Sequence, residues 1–81
     1  MNAAPPYTHP IELSGEIVKV GNDQNGIFFR LESGVNSYKV IIDSVILSKS
    51  SLLPELGNRV KFTAKNNRAQ GYWIASSFVI L

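Results

Sequence analysis

The sequence predicts an all-β fold: a five-stranded antiparallel barrel with a short helical turn between the third and fourth strands. Three observations lead there. Five segments carry either strict hydrophobic alternation or β-branched runs, the marks of half-buried strands. Clusters of Gly, Asn, Asp and Ser punctuate them at the spacing of a compact barrel. The chain contains no helical period long enough for a helix-turn-helix or a coiled coil.

Residues 1–10 hold Pro5, Pro6 and Pro10 and no periodicity, which predicts a loose arm ahead of a single barrel over residues 11–81. The first strand is "IELSGEIVKV". Ile11, Leu13 and Ile17 alternate with Glu12, Ser14 and Glu16, and Gly15 marks a bend or bulge within the strand. After Lys19 the period slips, so that Val20 can point inward. "GNDQNG" is a turn, with Asn25-Gly26 a strong hairpin signal. The second strand, "IFFRLES", places Ile27, Phe29 and Leu31 on the core side and Phe28 and Arg30 outside. "GVNS" turns the chain again, and "YKVIIDSVIL" is the third strand. In "SKSSLLPELGN" a Ser cap, Leu52, Leu53, Leu56 and the closing Gly57 predict one or two helical turns. In "RVKFTAK", Val60 and Phe62 alternate with Arg59, Lys61 and Thr63 as the fourth strand. Lys65 at its end and Arg68 in the polar segment that follows are read together as the turn between the fourth and fifth strands. "YWIASSFVIL" is the fifth strand, and either Tyr72 or Trp73 faces outward, since neighbours in a strand point to opposite faces.

Composition narrows the function classes. The chain has 81 residues, one domain's length, and 44% apolar residues, enough for one small core. Without cysteine there is no disulfide, thiol catalysis or thiolate metal site. Eight Lys and Arg stand against six Asp and Glu, a net +2 that is compatible with a polyanionic partner and common in soluble domains. No apolar run approaches the roughly 18 residues of a membrane span. The N-terminus lacks the basic and apolar regions of a secretory signal. The expectation is a cytoplasmic protein with no membrane partner. His9 is the single histidine and has no carboxylate cluster beside it. Ser14, Ser44 and Ser76 have no neighbouring base, and Asp23, Asp43 and Glu55 show no acid–base spacing. No Gly-rich phosphate loop is present. The reading is a non-enzyme with no cofactor and no metal.

The order of three strands, a short helix and two strands is that of the OB-fold. Within that fold residues 11–80 resemble a cold-shock domain. "GEIVKV" stands for the family's Gly-x-Val-Lys-Trp-Phe, "NDQNGIFFRL" for its Asn and Lys-Gly-Phe-Gly-Phe-Ile run, and "YKVIIDSVI" for its third strand. "LPELGNRVKF" matches its Leu-x-x-Gly-x-x-Val-x-Phe return, and Gly71 and Ala75 match a Gly and an Ala near its last strand. The resemblance implies outward aromatics that stack on bases. The family's tryptophan position falls on Lys19, the first aromatic of its second strand on Phe28 and the second on Arg30. In the third strand the aromatic falls on Tyr38 or on an aliphatic residue, and the histidine position on Val40 or Ile42.

The expected function is therefore binding of single-stranded nucleic acid, RNA or DNA. Phe28 would stack a base, and Arg30, Lys19 and Lys39 would hold phosphates. Lys65 and Arg68 would close one edge, with Tyr38, and Trp73 or its neighbour Tyr72, as further platforms. Glu12, Glu16 and Glu32 oppose this by diluting a basic face. The alternative is a protein-interaction module or homodimer on the same scaffold, using Tyr38, Val40 and Ile42 as an apolar patch.

Overall fold

In the computed structural model residues 9–50, 52–67, 69 and 71–81 are described. The Pro-rich arm and Arg68 therefore fall largely or wholly outside the described residues. The elements are β1 (Ile11–Asp23), β2 (Gly26–Ser33), β3 (Asn36–Ile42), α1 (Ser44–Lys49), β4 (Arg59–Asn67) and β5 (Tyr72–Ile80). The strands close in the order β1-β2-β3-β5-β4. All neighbours are antiparallel except β3 and β5, which run parallel. This closed five-stranded barrel, with one short helix between β3 and β4, is compatible with an OB-like fold.

Closure depends on β1 serving two neighbours. Its first half, Ile11 to Glu16, pairs with β4, and its second half, Glu16 to Asp23, pairs with β2. Gly15 sits just before the exchange. A Cβ there would collide with the carbonyl oxygen of Glu32 and stand 2.8 Å from its carbonyl carbon. The missing side chain lets β2 press against the bend. A bulge between Ile17 and Lys19 then shifts the register, so the slip falls at Val18, ahead of Lys19 and not after it. Val20 faces Phe29 across the ladder, yet it stays 44% exposed. The reason is that β4 has already parted from β1 at Glu16, so β4 does not cover this end of the hairpin.

The core contains Leu13, Ile17, Phe29, Leu31, Val40, Ile42, Val60, Phe62, Ala64 and Ala75. The Phe62 ring lies 6.2 Å from Phe29 and 6.3 Å from Phe78, centroid to centroid. Ile46 and Leu47 of α1 pack against this cluster, both partly buried.

The third connection differs from its sequence reading. β3 ends at Ile42, and "SVIL", read as strand, is the start of the helix. Asp43 explains the switch. Its carboxylate accepts the Val45 N–H at 2.9 Å, and its carbonyl accepts the Leu47 N–H at 2.9 Å, so a local cap overrides the β-branched preference. Replacing Asp43 with Ala is expected to cost about 1 kcal/mol. That would appear as a fall of roughly 4–8 °C in Tm by calorimetry.

The segment expected to be helical, around Leu52 to Gly57, is instead an irregular return. The Asn58 side chain accepts the Glu55 N–H at 2.8 Å. Ile17 of β1 accepts from the Gly57 N–H and donates to the Asn58 carbonyl, both at 2.8 Å. The return thus spends its polar groups on the bulged part of β1. Pro54, buried and without an N–H, also stands against a helix here. β4 runs on through Asn67, so Lys65 is a strand residue rather than a turn residue.

Candidate nucleic-acid interface

β2 carries the centre of the face. Its inward residues are Phe29 and Leu31, both buried, with Ile27 packed against the core. Phe28 and Arg30 therefore face out, as the alternation predicts. The ladder places Lys19 of β1 opposite Arg30, and Arg30 opposite Lys39 of β3. Three cations thus form one row across three adjacent strands. Like charges directly opposite one another destabilise a sheet. Two of the three find local partners: Lys39 reaches Asp23 at 2.8 Å, and the Arg30 guanidinium donates to the Ser37 hydroxyl at 3.2 Å. Lys19 is exposed and makes no ion pair among the described residues.

Phe28 occupies the neighbouring row, between Gly21 of β1 and Ile41 of β3. The tip of its ring lies over Gly21, where a Cβ would stand 2.6 Å from Cε1. The Lys39 ammonium lies 4.8 Å from the ring centroid, a cation–π contact. One lysine therefore covers the ring and pairs with Asp23 together. Asp23 was not legible as a member of this face, because Lys39 is 16 residues away and the contact spans three strands. Its carboxylate also accepts the Asn25 N–H at 2.8 Å, which fixes the β1–β2 turn. The hydrogen bond from Lys39, then that from Asn25, hold the Asp23 carboxyl below its ordinary value, against an opposing pull from lost solvent. The pair is thus intact at neutral pH and is lost as pH falls through the lowered pKa.

The row continues beyond β3. Ile41 pairs with Ile74 of β5, and Ile74 with Lys65 of β4. Ile41 is outward but only 8% exposed. A cleft of about 300 Å³ opens here, lined by Asp43, Lys65, Ile74, Ala75 and Ser76. A stripe from Phe28 through two isoleucines thus ends at a cleft with a lysine on its wall.

The acids that oppose binding lie one row further along. Glu32 pairs with Glu16, and Glu16 with Arg59. Arg30 stands between Glu32 and Phe28 on β2, so these acids do not border the ring. Glu12 is on the β4 side of the barrel, paired with Lys61 at 3.4 Å.

Two expected platforms are placed elsewhere. Tyr38 is opposite buried Leu31 and Trp73 opposite buried Val40, and both pack against the core. Their rings meet edge to face at 6.0 Å. They brace the β3–β5 seam from inside and do not stand beside Phe28. The outward member of the Tyr72–Trp73 pair is thus Tyr72. The third-strand ambiguity resolves likewise: Lys39 and Ile41 face out, while Tyr38, Val40 and Ile42 face in. The apolar patch of the alternative reading is therefore not on the surface, Val40 being 0% and Ile42 4% exposed.

Among the described residues no helix is long and apolar enough to cross a membrane. No family model matches the chain, and no curated protein matches it.

Proposed function

We propose that this barrel is a divergent, cold-shock-like module that binds single-stranded nucleic acid, RNA or DNA, without catalysis and in the cytoplasm. The observation that carries the reading is the row of Lys19, Arg30 and Lys39 beside the outward Phe28. Cations set opposite one another across strands are unfavourable for the sheet alone and favourable for an anion that bridges them. The outer face of the second and third strands is also where OB barrels take oligonucleotides. In this reading Phe28 stacks a base, the three cations hold successive phosphates, and the stripe through Ile41 and Ile74 leads the strand towards Lys65.

Fluorescence anisotropy of labelled oligo-dT and oligo-U, at about 50 and about 200 mM salt, tests it. Binding should weaken with salt. Phe28→Ala should weaken it by about 1–3 kcal/mol, the worth of one base stacked on an aromatic ring. Its Tm should change little, because the ring lies outside the core cluster. No binding to either oligomer at the lower salt would overturn the proposal.

A further inference from the structure

We infer that Asp23 reads the base stacked on Phe28 and favours guanine. This rests on the single-strand reading above. As the molecule stands, the Lys39 ammonium occupies the space over the Phe28 ring and holds Asp23. The ring tip on the β1 side lies against Gly21. A base can stack on Phe28 only when Lys39 moves aside. Lys39 has somewhere to go, because it belongs to the same row as Arg30 and Lys19. A phosphate held by that row would draw the ammonium from carboxylate to phosphate.

Asp23 cannot follow. One carboxylate oxygen, Oδ1, stays fixed by the Asn25 N–H at 2.8 Å. The other, Oδ2, loses its partner at the rim of the newly opened ring, and Oδ1 keeps a second lone pair beside its bond from Asn25, so the carboxylate can accept from two donors. A carboxylate only accepts hydrogen bonds. Guanine alone presents two adjacent donors on its Watson–Crick edge, the N1–H and the exocyclic amine. Adenine and cytosine each offer a donor beside an acceptor. Thymine and uracil offer one N–H flanked by two carbonyl oxygens, which the carboxylate repels. The pairing that opens the platform thus leaves behind a group that selects what occupies it.

The experiment compares four 8-mers by anisotropy: dT8, d(TG)4, d(TA)4 and d(TI)4, in which inosine keeps the N1–H and lacks the amine. Wild type should bind d(TG)4 roughly tenfold more tightly than dT8, as a bidentate base contact gives, with d(TI)4 between them. Asp23→Ala should bind dT8 more tightly than wild type, since Lys39 is released and an acid removed, and should lose the guanine preference. Asp23→Asn can keep the turn bond to Asn25 and should lose that preference too, which separates base reading from turn geometry. Equal binding of dT8 and d(TG)4 by wild type overturns the inference. So does a guanine preference that survives in either variant. Failure of all four oligomers to bind would instead remove the single-strand reading itself.

Discussion

Replacing Lys19, Arg30 and Lys39 together by Gln is expected to weaken oligonucleotide binding about 100-fold near 0.1 M salt. Each phosphate contact to a single strand releases about 0.7 counterion, worth about 1 kcal/mol at that concentration. The slope of log K against log salt should become shallower by about 2. Folding should not suffer with it. The row is outside the core, and its members face like charges across the ladder. The Lys39–Asp23 pair is part-exposed, so its loss costs little, and relief of the like-charge row offsets that cost. The triple variant should therefore melt at or above the wild-type temperature while binding poorly. Lys61→Gln is the matched control: its lysine lies on β4 and pairs with Glu12. An unchanged salt slope in the triple variant would show that the row does not contact phosphate.

Gly15→Ala is expected to destabilise the barrel by about 3 kcal/mol, the upper end of the range for overpacking. For a chain of this length that lowers Tm by roughly 12–24 °C. The added methyl group meets the Glu32 carbonyl and stands 3.3 Å from the Ser33 Cα. These are backbone atoms of a paired strand, so they cannot swing away as a side chain would. Relief requires β2 to part from β1 where β1 passes from one neighbour to the other. Ser14→Ala, one residue earlier on the exposed side, should change Tm by only a degree or two. If Gly15→Ala melted with Ser14→Ala, closure of the barrel would not depend on this close approach.

Both variants concern features that are unequally visible in the sequence. Gly15 inside an alternating strand, and the slip after Lys19, already announce a bent first strand. The structure supplies the two neighbours between which it bends. The outward placement of Phe28 and Arg30 follows from Ile27, Phe29 and Leu31 alone. The helix lies between the third and fourth strands as the sequence predicts, but it starts at Ser44, because Val45, Ile46 and Leu47 suit a strand equally well and the cap from one carboxylate, Asp43, decides between the two. The resemblance puts Tyr38 on the binding face, and the alternation leaves either Tyr72 or Trp73 outward, because neither argument fixes the register of these two strands. The positions of Tyr38 and Trp73 opposite Leu31 and Val40 settle it.

The sequence by itself determined the faces of the second and fourth strands and of the first as far as Ile17, the two hairpin turns that join the first three strands, and that one aromatic and several cations lie outside. These are local properties, set by the period-two geometry of the extended backbone. Only the tertiary structure decided which outward residues meet. Lys19, Arg30 and Lys39 align, and Lys39 crosses Phe28 to reach Asp23, because two hairpins and one bulge fix the register of three strands. A slip of one residue in that register would exchange the two faces of a strand. The contacts that make the face a site depend on that register, and the alternation that marks the face does not encode it.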